Sequence, residues 1–287
     1  MAYTVTASFD AFYENINLSG DHRQSANARR DNVVNTLSNK FEIIESFATG
    51  SIPKFTALKG QADLDVMVAL HYGKHIKDKT PTRVLQDVRD ALAEWRTGAR
   101  KNGQAVTLYY TTWPNVDIVP VSRVVNDDGT VAHYNVPDSN TDTWIPSRPK
   151  LHASNIESKA SDCGFNFRRI IKMIKHWNKV HSDYLQSYHI EVLAQKVFDT
   201  NLDDTPWHVF QFFEKARPLL TTNLWHELGY ADNYLSWSDR QEVLKRFDTA
   251  INRSRDAWHK TYRDAQDHKS AIEIWRQIFG DKFPAYG

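Results

Sequence analysis

Ala62-Asp63-Leu64-Asp65-Val66-Met67-Val68 sets two carboxylates two residues apart inside an apolar run. Successive side chains of an extended strand point to opposite faces, so Asp63 and Asp65 project together while Leu64, Val66 and Val68 pack beneath. A later apolar strand, Val116-Asp117-Ile118-Val119-Pro120, carries a lone acid in the same kind of setting. Unpaired carboxylates on a half-buried sheet repel one another and lose hydration. A divalent cation resolves that conflict, which makes Asp63, Asp65 and Asp117 candidate metal ligands and catalytic residues.

Upstream, Phe41-Glu42-Ile43-Ile44-Glu45-Ser46-Phe47 reads as another strand, running into Ala48-Thr49-Gly50-Ser51-Ile52-Pro53. Gly50 permits close backbone approach, Ser51 can cap, and Pro53 suits a first helical turn, so a short helix is expected to start here. The free N–H groups and positive dipole end of such a start suit a polyphosphate, which makes Gly50 and Ser51 candidate nucleotide-binding residues. Mg²⁺ favours a few carboxylates plus phosphate oxygens, and two such ions stabilise both the attacking and leaving oxygens of an in-line displacement. The combination points to nucleotidyl transfer with two Mg²⁺ or Mn²⁺ ions, Asp117 completing the site and helping to activate an acceptor hydroxyl. No nucleophilic side chain is needed, so no covalent intermediate is expected. By itself, an Asp-x-Asp strand also fits a solvated or ion-paired strand face.

The order of these pieces resembles the DNA polymerase β-like nucleotidyltransferases: a Gly-Ser turn, Asp-x-Asp about a dozen residues on, then a lone Asp in a later strand. The second half narrows the likeness. Lys172-Met173-Ile174-Lys175-His176-Trp177, followed by Gln186-Ser187-Tyr188-His189-Ile190-Glu191, is similar to a pair of helices in the cGAS/DncV-like nucleotidyltransferases, or CD-NTases. In that family a lysine and the serine contact the donor triphosphate and the tyrosine stacks on a base. The resemblance gives those roles to Lys175, Ser187 and Tyr188, with Lys172 as a further nucleotide-binding candidate. A half-buried core aromatic is the other reading of Tyr188. Pro149-Lys150-Leu151-His152 and the stretch from Ala271 to Pro284 also resemble bacterial members, so the likeness spans nearly the whole chain.

What the resemblance implies is an α+β, bilobed protein. A polymerase β-like core of mixed sheet and helices (1–148, with an N-terminal helix) would pack on a C-terminal, OAS-like helical lobe (149–287), with the active site in the cleft between. It further implies ATP and/or GTP as substrates, closure to a cyclic di- or trinucleotide with release of pyrophosphate, and a downstream effector that reads this antiphage (CBASS) signal. The alternatives are a template-independent enzyme making linear oligonucleotides or modifying RNA or protein, and a nucleotide sensor without catalysis. Some bacterial systems of this family attach the cyclase through a terminal Gly or Ala to a partner by ubiquitin-transfer-like enzymes. Gly287 suits that role; a frayed terminus is the simpler reading.

Composition agrees with an enzyme of this kind. The 287 residues, 41% hydrophobic, bury a substantial core, and 36 Lys and Arg against 35 acids announce no nucleic-acid binder. Cys163 is the single cysteine, which excludes a disulfide framework and the Cys-rich zinc insertion of the animal DNA sensors, so no DNA activator is expected. Neither a signal peptide nor a span-length apolar run is present, and a cytoplasmic protein with no membrane partner is expected. Helical spacing predicts helices over about 20–40 and through Val84, Val88, Leu92 and Trp95, and almost everywhere beyond Phe165. Val106-Thr107-Leu108-Tyr109-Tyr110 reads as a strand, and Asp127-Asp128-Gly129 as a hairpin turn. The polar, Pro-bounded stretch from Pro137 to Pro149 is expected to be a long surface loop. Trp207, Trp225, Trp237, Trp258 and Trp275 are all read as packing residues, and His176, His181 and His189 as surface or capping histidines.

Overall fold

The computed structural model describes residues 3–18, 20–61, 63–263 and 266–287. It has the α+β character expected and divides into a helical unit (Met1–Asn17, Thr56–Lys59 and Ser154–Gly287) and a sheet unit (Leu18–Phe55 and Gly60–Ala153). No helix among the described residues is long and apolar enough to cross a membrane.

The chain opens with α1 (Val5–Ile16), which belongs to the helical unit, and α2 (Gly20–Ser38), which begins the sheet unit. Strands β1 (Ile43–Thr49) and β2 (Leu64–Leu70) follow, then α3 (Pro81–Trp95), β3 (Arg100–Asn102) and β4 (Ala105–Leu108). The long β5 (Val116–Val125), β6 (Val131–Asp138) and β7 (Thr143–Ser147) complete the sheet. Thr80 starts α3 by accepting a hydrogen bond from the Arg83 N–H (3.3 Å), with Pro81 in the first turn where its missing N–H costs nothing.

Among the described residues the sheet runs β1-β2-β5-β4-β3, and β6 and β7 extend it from the distal half of β5. Among the described pairs β2 and β5 run parallel, and the others in this sheet antiparallel. Pro120 falls between Ile118, the last β5 residue paired with β4, and Ser122, the first paired with β6, so its missing donor breaks no bond to either strand. One face carries the fully buried Leu64, Val66 and Val68. On the other, Met67, Ala69, Val119, Val121 and Tyr134 form a smaller apolar cluster with Phe47. Helices α2 and α3 pack on the sheet and bury Val33, Leu37, Val84, Leu85, Val88 and Leu92.

The loop expected over 137–149 instead holds β7, which pairs with β6 from Tyr134↔Ser147 to Asp138↔Thr143. Its turn is local chemistry: Asp138 accepts from the Asn140 N–H (2.9 Å) and Asp142 takes φ 52°. The strand escapes sequence reading because this edge is largely solvated, without the alternation of a half-buried one. The Asp127-Asp128-Gly129 turn is observed, with Gly129 at φ +81°.

In the helical unit, α4 (Pro149–Cys163, from Ser154 onward), α5 (Asn166–Val180), α6 (Ser187–Val197) and α7 (Thr205–Leu219) are followed by a two-stranded ribbon. The ribbon is β8 (Trp225–His226) and β9 (Gly229–Tyr230); α8 (Trp237–Tyr262) and α9 (His268–Phe279) close the unit. Phe167, Ile170, Ile171, Ile174 and Trp177 face its core, as their spacing requires. Helix α1 lies here rather than with the sheet because its apolar stripe packs on the end of the chain. Phe9 meets Trp275 (ring centroids 4.9 Å) and Phe283 (5.2 Å), and Phe12 meets Phe279 (4.6 Å). Each of these buried side chains contributes about 1.5–3 kcal/mol relative to exposure.

Two tryptophans depart from the expected packing role. Trp225 is 55% exposed, set against Tyr230 across the narrow ribbon, and Trp237, the first residue of α8, is 77% exposed. Trp275 is fully buried, and Trp207 and Trp258 pack on each other. His176 and His181 face the Phe279 and Ile278 carbonyls (3.1 and 2.9 Å), orphan acceptors at the end of α9. His189 is no surface residue: it is fully buried with Nδ1 3.0 Å from the Tyr234 hydroxyl.

Candidate active site

Both β2 and β5 are buried strands interrupted by an acid at their second position. Their parallel register sets Asp65 directly beside Asp117. The antiparallel neighbours add Thr49 on the far side of Asp65 and Thr107 on the far side of Asp117. Adjacent strands lie about 4.8 Å apart, so a row Thr49, Asp65, Asp117, Thr107 crosses four strands on one face. Asp63 flanks the row, because the Leu64 N–H donates to the Asn115 carbonyl (2.9 Å) and carries the parallel pairing one step beyond Val116.

Electrostatics follow from that crowding. Burial, reinforced by the charges of Asp117 and Asp63 and opposed by Lys54, pushes the Asp65 carboxyl up to about 7. Asp117 is also raised, chiefly by burial and further by Asp63, while the hydrogen bond from the Thr107 hydroxyl works the other way. Asp65 and Asp117, whose ionised forms are disfavoured by burial and by neighbouring carboxylates, form with Asp63 a set of hard oxygen donors that a Mg²⁺-type cation fits.

Gly50 closes on this row. A Cβ there would lie 1.7 Å from Oδ2 of Asp65, and its φ of +73° is left-handed, so only glycine fits. Residues 51–55 are turns, not the expected helix start: the Phe55 N–H bonds to Ile52 (3.1 Å) and Phe55 takes φ 60°. That left-handed residue breaks the helix before it completes a turn, so the backbone amides beside Ser51 are offered by a turn with no helix dipole behind them. Two residues escaped the sequence reading. Thr107 is a polar residue at an alternate position of an otherwise apolar strand, which is a legible signal; the influence of Lys54 on Asp65 depends on the turn's path and is not.

Residues 3–159 match the family model of the Second Messenger Oligonucleotide or Dinucleotide Synthetase (SMODS) domain, more than half of the chain. The chain belongs to the SMODS family. It is thereby a nucleotidyltransferase of the CD-NTase group and CBASS type, a family of cyclic oligonucleotide synthases. A probable cyclic nucleotide synthase of Bacillus cereus is 21% identical over 339 residues, covering 100% of this SMODS chain and 99% of the relative. A cyclic AMP-AMP-AMP synthase of Escherichia coli is 22% identical over 314 residues, covering 92% and 91%. The fold is shared with the CdnC chain of an E. coli CdnC:HORMA-deltaN complex, at a TM-score of 0.78 and 17% identity over 97% of this chain and 98% of that one.

The remaining candidates of this SMODS member lie in its helical unit, on α5 and α6. Lys172 donates to Asn17 Oδ1 (2.6 Å), and Lys175 to Glu191 Oε1 (2.7 Å) and the Thr56 hydroxyl (3.1 Å). Ser187 is exposed as the first residue of α6. Tyr188 is half-buried against the helical core, its ring 5.9 Å from that of His226, and burial with the charges of Glu227 and Glu191 raises its hydroxyl pKa.

Proposed function

We propose that this SMODS chain joins nucleoside triphosphates into a cyclic di- or trinucleotide that signals to an antiphage effector, releasing pyrophosphate at each transfer. The observation that carries the reading is the in-register pair Asp65 and Asp117, held with raised pKa values beneath a glycine that no side chain could replace. Two Mg²⁺ or Mn²⁺ ions held by Asp63, Asp65 and Asp117 would supply charge neutralisation at the donor phosphates and a lowered pKa for the acceptor hydroxyl. Gly50 and Ser51 bring backbone amides to the donor triphosphate. Thr107 fixes the orientation of the Asp117 carboxylate, which takes up the acceptor proton. Lys172, Lys175 and Ser187 serve the triphosphate end, and Tyr188 stacks on a base, an interaction worth about 1–3 kcal/mol.

The name of the cyclic AMP-AMP-AMP synthase relative supports ATP among the substrates. The HORMA-deltaN chain in complex with CdnC supports a protein partner of that kind. The test is incubation with all four NTPs and Mg²⁺ or Mn²⁺, then phosphatase treatment and mass spectrometry. A phosphatase-resistant cyclic oligonucleotide is expected. Pyrophosphate release with only phosphatase-sensitive products would instead favour linear transfer.

A further inference from the structure

Thr56, Lys175 and Glu191 form a closed triangle inside the helical unit. The Thr56 hydroxyl donates to Glu191 Oε1 (2.6 Å) and accepts from Lys175 Nζ (3.1 Å), and Lys175 Nζ also donates to the same Glu191 oxygen (2.7 Å) and to the Thr56 carbonyl (3.3 Å). Thr56 and Glu191 are fully buried and Lys175 is 4% exposed. Replacing a buried ion pair by apolar side chains of similar volume often costs a protein nothing in stability, so such a pair is better explained by what it places than by what it stabilises.

What it places is the four-residue segment Thr56–Lys59, which the chain sends into the helical unit from the sheet unit. The segment is held at both ends. At its far end Leu58 forms an antiparallel bridge with Asn17, and the Lys59 N–H donates to Ile16 (2.9 Å). Asn17 is in turn held through its side chain by Lys172, one turn before Lys175 on α5. The two lysines therefore grip the two sides of one short segment. In the chain, that segment follows directly on the turn bearing Gly50, Ser51 and Lys54, and leads through Gly60 to Asp63.

We propose that Lys175 with Glu191, and Lys172 through Asn17, are positioning residues that clamp Thr56–Lys59 and so fix the Gly50–Phe55 turn that receives the donor triphosphate. This rests on the nucleotidyl-transfer reading and deepens it: beyond their service to the triphosphate itself, the lysines also act on the phosphate site through the chain that carries it. A clamp of this kind strengthens donor binding equally in the ground and transition states, so loosening it raises KM and leaves kcat.

Thr56→Val keeps the volume and the Lys175–Glu191 pair while removing the hydroxyl both of them use; Thr56→Ser restores the hydroxyl. Steady-state kinetics with saturating acceptor and Mg²⁺, together with hydrogen exchange of the 50–59 peptide in the full chain, read the effect. Thr56→Val is expected to raise donor KM about tenfold with kcat within about twofold, and to speed exchange of the 52–59 amides about tenfold, with Thr56→Ser close to the unaltered chain in both. Unchanged KM with faster exchange would overturn the positioning role, and so would equal impairment of the Val and Ser variants. An unaltered chain that neither binds ATP nor turns over any NTP would overturn the functional reading itself, whatever the exchange shows.

Discussion

Replacing Asp65 by Asn should stabilise the protein while abolishing its chemistry. The Asp65 carboxyl titrates at about 7 in the folded chain against an ordinary 3.8. That gap of about 3 pH units, at 1.36 kcal/mol each, amounts to about 4 kcal/mol that ionised Asp65 takes from stability above pH 7. Because the folded form binds the proton more tightly than the unfolded one, the penalty is absent below about pH 4 and grows as pH rises through 7. Asp65→Asn removes it. At about 2 °C per kcal/mol for a chain of this size, Tm at pH 8 should rise by about 5–8 °C, with the difference shrinking towards pH 5. Differential scanning fluorimetry from pH 5 to 8, with and without 10 mM Mg²⁺, reads this directly. Mg²⁺ should raise the Tm of the unaltered chain and leave that of the variant nearly unmoved, since the cation stabilises only a site with its carboxylates in place. A variant with equal or lower Tm at every pH, or with an undiminished response to Mg²⁺, would refute the idea that mutual crowding of the acids is what a cation relieves. Retained nucleotidyl transfer would remove Asp65 from the metal site.

Three other outcomes follow from particular contacts. Gly50→Ala should cost at least about 100-fold in nucleotidyl transfer, since its Cβ collides with Asp65 at 1.7 Å, whereas Gly129→Ala, left-handed too but facing open space, should lose only some stability. Activity assays and melts on the pair separate the two costs. Thr107→Val removes the bond that holds Asp117 down, so the acid limb of the pH–rate profile should move to higher pH and kcat/KM at pH 6 should fall about tenfold. Burial depresses His189 to about 4 from 6.5, so below pH 6.5 the unfolded chain takes up a proton that the folded chain refuses. Stability should fall by up to about 3 kcal/mol between pH 6.5 and 4 on this account, and urea melts of His189→Asn should show a correspondingly shallower acid dependence.

The acid row was legible because its signal is local: an acid in an apolar strand is anomalous whatever it pairs with, and alternation alone assigns Asp65 and Leu64 to opposite faces. Its flanking threonines were not, since Thr49 and Thr107 reach the two acids only through strand pairing between distant segments. The Gly50 turn was read correctly as a close approach and wrongly as a helix start. Glycine's freedom is written in the sequence, whereas the left-handed Phe55 is imposed by the chain's departure into Thr56–Lys59. Lys175 showed the limit most plainly. Its place on a basic helix was visible, but a periodic pattern does not reveal that the ammonium turns inward to a buried carboxylate.

The aromatic contacts between α1 and α9 bear on the order in which the molecule comes into being. The residues of the sheet unit end at Ala153, so a growing chain can complete that unit while the remaining helices are still being made. The first helix cannot settle then, because Phe9 and Phe12 await Trp275, Phe279 and Phe283. The Thr56–Lys59 segment likewise waits for Lys175 and Glu191. A ribosome-bound fragment would therefore carry the acid row while Thr56–Lys59 still lacks the lysine and the carboxylate that hold it, and that segment would take its final place only as the later helices emerge.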